Sequence, residues 1–139
     1  MQALMLAAGM GKRLGRFTHD NTKCMLRIQD KTLIERATEA LLEAGVNKFV
    51  IVTGYKSDNL RRFILEECKN PCMKKMHFEF IENSIYDKTN NIYSLFLARE
   101  LFERDDTLLL ESDLIYDYEL INRLVKSPDP NVVAVAKYE

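Results

Sequence analysis

The sequence has 139 residues, with 20 Lys+Arg against 21 Asp+Glu, a net charge of −1 at pH 7 and 47% hydrophobic content. These values describe one compact globular domain and exclude the global basic field that nucleic acid or an anionic membrane surface would require. No apolar run approaches the ~20 residues that span a bilayer and no signal peptide is read at the N-terminus; three cysteines, Cys24, Cys68 and Cys72, odd in number and without framework spacing, point to reduced thiols and a cytoplasmic setting.

Residues 2–8 form a near-continuous apolar run, the pattern of a strand buried on both faces in a parallel sheet. A loop over residues 9–30 follows. It holds Gly9, Gly11 and Gly15, and between Met10 and Arg27 a local excess of positive charge, with Lys12, Arg13, Arg16, Lys23 and Arg27 against Asp20. A basic patch in a near-neutral protein suits a small anionic ligand better than a polyanion. A helix is expected over 32–44, opened by Thr32 and Glu35 at capping-box spacing and closed by Gly45. Residues 49–52 read as a second buried strand ending at Gly54. The next helix, with Ser57 as its cap, is expected to run to about Cys68 and to end at Asn70-Pro71. Residues 77–81 alternate and read as a strand nearer a sheet edge. A polar loop over 83–91 leads to a helix over 92–102 that is apolar on most sides and expected to be well buried. Residues 108–110 read as a third two-sided strand running into Glu111-Ser112-Asp113. A short helix over 118–125 and a strand over 132–136 complete the chain.

Strand and helix alternate throughout, which implies an α/β fold: a Rossmann-like open, mainly parallel sheet with helices on both faces, forming a single domain over 1–139. In such sheets ligands bind outside the carboxyl ends of the strands. The glycine loop, the Gly54-Tyr55-Lys56 turn and Asp113 should therefore share one rim, with residues 83–91 near it.

The glycine loop fails two familiar phosphate patterns. A P-loop needs a hydroxyl after Gly-Lys and a glycine six residues before the lysine, and here Arg13 follows Lys12 and the earlier glycine is missing. The dinucleotide fingerprint needs a third glycine where Leu14 stands, and the second strand ends in Thr53-Gly54 without an acid for a ribose.

A different signature matches. Residues Leu6-Ala7-Ala8-Gly9-Met10-Gly11-Lys12-Arg13-Leu14, with Thr18, Lys23, Leu26 and then Lys31-Thr32-Leu33-Ile34, resemble the sugar-phosphate nucleotidyltransferase superfamily. Val52-Thr53-Gly54-Tyr55-Lys56 and Thr89-Asn90-Asn91-Ile92-Tyr93-Ser94-Leu95 are similar to its choline-phosphate cytidylyltransferase-like branch. Leu110-Glu111-Ser112-Asp113 matches the place where that family carries a magnesium-binding aspartate.

The resemblance implies nucleotidyl transfer. A phosphate or phosphonate oxygen of a small acceptor attacks the α-phosphorus of a nucleoside triphosphate, with CTP favoured, and pyrophosphate leaves. Nucleotide-binding positions would be Leu6, Ala7, Ala8, Gly9, Met10, Gly11, Lys12, Arg13, Lys23, Asn90, Asn91 and Ser94. Arg13 and Lys23 would act in catalysis, Arg13 on the β- and γ-phosphates and Lys23 on the α-phosphate. Asp113 would hold Mg2+. These residue types suit the task, since phosphoryl-type transfer rests on positioning and charge neutralisation. Bland roles compete at single positions. Asp113, Asn90 and Asn91 are all good helix N-caps, and Glu111 is a structural neighbour.

The family carries proline before the loop lysine, where this chain has Thr22. Its members are longer, so the sequence is expected to be an N-terminal portion of the family fold. The runner-up activities are a sugar-1-phosphate nucleotidyltransferase and a nucleotide-binding domain without turnover. A homo-oligomer stays open, and neither nucleic acid nor membrane is expected as a partner.

Overall fold

A computed structural model describes residues 1–137. Strand β1 (Gln2–Ala7) is buried along its whole length. Two turns of 3-10 helix follow, Lys12–Thr18 and Lys23–Met25. A two-residue ladder pairs β2 (Arg27–Ile28) antiparallel to β3 (Lys31–Thr32). Then come α1 (Leu33–Glu43), β4 (Lys48–Thr53) and α2 (Ser57–Arg62), which continues as a π-turn (Phe63–Glu67). The remaining elements are α3 (Pro71–Lys75), β5 (His77–Glu82), α4 (Asn91–Leu97), α5 (Leu101–Arg104), β6 (Thr107–Glu111) and α6 (Tyr118–Val125).

The main sheet has the order β5-β4-β1-β6, and every neighbouring pair is parallel. The unbroken apolar run of β1 follows from its central place. Side chains alternate across a strand. Ala3, Met5 and Ala7 enter one core with Ile34, Leu41, Phe49, Leu60 and Ile121, beneath α1, α2, α3 and α6. Leu4, Leu6 and Ala8 enter the other with Val50, Val52, Ala98 and Leu101, beneath α4 and α5. Fully burying a side chain of this size contributes about 1.5–3 kcal/mol, so both faces of β1 and β4 need their helical cover.

Helix α1 starts as its sequence dictates. The Thr32 hydroxyl accepts from the Glu35 N–H, and the Glu35 carboxylate accepts from the Thr32 N–H at 2.8 Å. Gly45 ends it at φ 85°, a conformation that glycine adopts without a Cβ penalty.

Five expectations are corrected. Ser57 is not a cap: Lys56 precedes the helix in a left-handed conformation, and the Ser57 hydroxyl donates to Thr53 Oγ1 at 2.8 Å. Asn70-Pro71 does not end α2 but opens α3, since the Asn70 side chain accepts from the Cys72 N–H and proline at N1 has no donor to lose. The expected helix over 92–102 is two short ones broken at Ala98, and it is not well buried. Only Ser94, Ala98 and Leu101 are deeply buried along it, while Ile92, Phe96 and Phe102 stand exposed. Strand β6 pairs on one side only among the described residues, and Leu109 is exposed. Residues 132–136 form no strand, and Val133 and Val135 are exposed.

Candidate functional site

The parallel register puts the strand ends at one level. Leu6 stands beside Glu111 and Val52, and Thr53 beside Ala7 and Glu82. The carboxyl rim is therefore formed by Ala8–Gly9, Gly54–Lys56, Asn83 and Ser112–Asp113, as the alternating pattern implies.

The glycine loop is built on backbone that side chains would not allow. Gly11 has φ 62°, and a Cβ there would meet the Lys23 stem at 2.9 Å and Thr18 at 3.1 Å. Its carbonyl accepts from the Thr18 hydroxyl at 2.8 Å and the Leu14 N–H at 2.9 Å, which closes the first turn. Gly15, at φ 53° and ψ −118°, breaks the 3-10 segment where only glycine is comfortable. Gly9 differs: a Cβ there would meet nothing within 4 Å. Lys12, Arg13 and Arg16 are exposed, and their charged groups make no ion pair with the described residues.

Thr22 takes φ −76° and ψ 162°, the backbone that a proline would impose. The departure from the family pattern therefore leaves the chain direction into Lys23 unchanged. Next to it Cys24 is fully buried. Burial pushes its thiol up to about 11, so it is a packing group and not a nucleophile.

Lys23 crosses the rim. Its Nζ donates to Asp113 Oδ2 at 3.2 Å, linking the glycine loop to the end of β6 over 90 residues of sequence. Asp113 is held in place by its neighbours. The Tyr116 hydroxyl accepts from the Glu111 N–H at 2.7 Å and donates to the Glu111 carbonyl at 2.9 Å, which closes the turn after β6. Burial raises the Tyr116 phenol to about 12, so it keeps the proton that this bond uses.

The polar loop after β5 is organised by Asn83, which the sequence reading places in the loop over 83–91 without singling it out. It is 1% exposed. Its N–H donates to the Thr53 carbonyl at 2.7 Å, its Nδ2 to Thr89 Oγ1 and Ser94 Oγ, and its Oδ1 accepts from the Ile85 N–H. An asparagine just past a strand is a common loop former, which was the available signal. Ser94 is thus buried inside this network. Asn90 caps α4 by accepting from the Ile92 N–H at 3.1 Å, and Asn91 is the exposed first residue of that helix.

A hollow of about 600 Å³ lies away from this rim, between the β2–β3 turn, α1 and residues 67–71. Several of its charged groups are already committed to one another: Lys31 pairs with Glu39 at 2.8 Å, and Asn70 donates to Glu39. The rim, with unpaired cations opposite a partly exposed carboxylate, is the better candidate.

The family described as the MobA-like NTP transferase domain matches residues 3–139. The CTP:phosphoglutamine cytidylyltransferase of Campylobacter jejuni is 32% identical over 143 residues, covering 99% of this chain and 53% of that protein. The solved CTP:phosphocholine cytidylyltransferase of Streptococcus pneumoniae is 33% identical with a TM-score of 0.64, over 81% of this chain and 44% of that one. A UDP-glucose pyrophosphorylase structure shares the fold at 23% identity and a TM-score of 0.70, over 88% of this chain and 52% of its own. The chain spans about half the length of the relatives that it matches.

Proposed function

The chain belongs to the MobA-like NTP transferase domain family, and from that premise we propose that it carries the nucleoside-triphosphate side of a Mg2+-dependent nucleotidyltransferase that moves a cytidylyl group from CTP to a small phosphorylated acceptor such as phosphocholine. The observation that supports this most directly is the 3.2 Å meeting of Lys23 and Asp113, which joins a cationic glycine loop to an acidic strand end. The names of two relatives, which use CTP with phosphoglutamine or phosphocholine, favour cytosine and an acceptor of that size. The free Cys24, Cys68 and Cys72 agree with a cytoplasmic setting.

Asp113 fits Mg2+ chemically. It offers hard carboxylate oxygens at the rim, partly exposed, and Lys23, which now holds Oδ2, would have to give that oxygen up to the ion. Mg2+ usually takes one or two carboxylates and completes its shell with water and phosphate oxygens. When bound, the ion would neutralise charge on the phosphates. The rest falls to the chain itself. Gly9 and Gly11 would let the loop backbone approach the phosphate oxygens closely. Arg13 would present its guanidinium fork to the β- and γ-phosphates, with Lys12 adding charge. Lys23 would turn from Asp113 to the α-phosphate and meet the charge that builds there during transfer. Backbone of Leu6, Ala7, Ala8 and Met10 with Asn90, Asn91 and Ser94 would bound the nucleoside. Ser94 would do so from within the Asn83 network.

A thermal-shift panel with Mg2+ tests the base. CTP at a hundredfold excess over its Kd should stabilise the chain by about 2.7 kcal/mol. Stabilisation by UTP, dTTP or GTP but not by CTP would overturn the cytidylyl assignment. Gly9→Ala tests the loop. The added methyl has open space in the fold, so the thermal midpoint should hold while CTP affinity falls at least tenfold. Unchanged affinity would remove the loop backbone from the phosphate site. A second reading, nucleotide binding without turnover, is consistent with a chain that spans 53% of its C. jejuni relative. Its mark would be CTP stabilisation with no pyrophosphate released from CTP when phosphocholine is supplied as acceptor.

A further inference from the structure

The stretch from Gly9 to Thr18 carries the exposed Lys12, Arg13 and Arg16, and beyond its own internal bonds it is tied at both ends to another part of the chain. Both ends are gripped by the segment that follows β4, its turn and the first turn of α2. At the near end, the Tyr55 N–H donates to the Ala8 carbonyl at 3.0 Å. Gly54 packs so closely there that a Cβ would come within 2.9 Å of the same oxygen. At the far end, the Tyr55 hydroxyl donates to the His19 carbonyl at 2.6 Å, and Asn59 Nδ2 donates to the Asp20 carbonyl at 2.8 Å. The turn itself is well fixed. Lys56 is held in the left-handed region at φ 53°, which is strained for a residue with a side chain. The Tyr55 ring meets Tyr86 edge-on, with centroids 6.1 Å apart.

We infer that Tyr55 and Asn59 are positioning residues for the glycine loop: by holding the His19 and Asp20 carbonyls they set where residues 9–18 and Lys23 stand before any ligand arrives. The physical benefit is preorganisation. A loop already ordered does not lose that entropy on binding, and donors already aimed need no rearrangement. The inference rests on the nucleotide reading for its ligand but not for its structural part. Neither side chain has to touch the nucleotide.

The test uses Tyr55→Phe, which removes one oxygen and leaves the ring packing, and Asn59→Ala with Asn59→Gln as the conservative partner that keeps an amide donor. Hydrogen exchange is followed in the full chain without ligand, and CTP and CMP are titrated with Mg2+. Amides in residues 12–23 should exchange faster in Tyr55→Phe and Asn59→Ala, while those of β1 and β4 stay protected. CTP affinity should fall about three- to tenfold per lost bond, the range for a neutral hydrogen bond. CMP, which lacks the outer phosphates that the loop would hold, should lose less, and Asn59→Gln should recover part of the loss. A merely structural role would instead weaken both nucleotides alike and lower protection throughout, and that result overturns the inference. So does unchanged exchange in residues 12–23. If exchange rises in the loop but even the unsubstituted chain binds neither nucleotide, the positioning role stands and the nucleotide reading fails.

Discussion

On the proposed reading, replacing Lys23 with alanine is expected to lower nucleotidyl transfer by roughly two to three orders of magnitude, the usual loss when one group that stabilises transition-state charge is removed. The effect on the fold should be small. Lys23 and Asp113 are each about a third or more exposed, at 32% and 45%. An ion pair in that setting contributes about 0.2–1 kcal/mol at most. The stem of Lys23 does lie against the loop, since a Cβ on Gly11 would touch it at 2.9 Å. Lys23→Met is therefore the better second variant, because it keeps the stem and removes only the charge. Pyrophosphate release and the thermal midpoint should separate cleanly in both variants. Turnover within threefold of the unsubstituted chain would remove Lys23 from the reaction. Arginine should not rescue fully, because its planar fork cannot replace a compact ammonium at a single oxygen.

Gly54→Ala is expected to be the most destabilising single methyl at the site. The new Cβ would come within 2.7 Å of Tyr86 Cβ and 2.9 Å of both Ala8 Cβ and the Ala8 carbonyl oxygen. These are backbone atoms or atoms fixed directly to backbone, so no flexible side chain can swing aside. Overpacking of this kind costs about 1–3 kcal/mol, which for a chain of this size lowers the midpoint by roughly 3–12 °C. The strain falls on the junction where Tyr55 is bonded to the Ala8 carbonyl, so CTP binding should weaken as well. The comparison with Gly9→Ala is informative. Both substitutions add the same methyl within one rim, yet one meets backbone and the other meets open space. A midpoint unchanged by Gly54→Ala would show that β1 and the turn after β4 can part without loss, which the register of Ala7 on Thr53 argues against.

Much of this molecule was legible as sequence. The run at residues 2–8 is apolar without alternation because β1 is central and feeds two cores. The Thr32–Glu35 box is local chemistry and forms as written. Helix α6 occupies residues 118–125, as its spacing indicates. Local reading failed where the outcome depends on what lies opposite. The apolar residues of α4 and α5 suggested burial all round, but the sheet covers one stripe, and Ile92, Phe96 and Phe102 face outward. The residues over 132–136 have strand composition without a described neighbour to pair with. Asn70-Pro71 punctuates the chain in either direction, and here the Asn70 side chain caps α3 with Pro71 at its first position.

The sequence by itself determined the alternation of strand and helix, the glycine loop with its cations, and the family to which these point, because those features depend on residue type and spacing within a few turns of chain. Only the tertiary structure decided that Lys23 meets Asp113 across 90 residues, that Asn83 gathers the loop after β5, and that Tyr55 and Asn59 hold the glycine loop from the turn and helix after β4. Those contacts join residues whose separation in the chain carries no period. They exist because parallel pairing brings the carboxyl ends of β1, β4, β5 and β6 to one level.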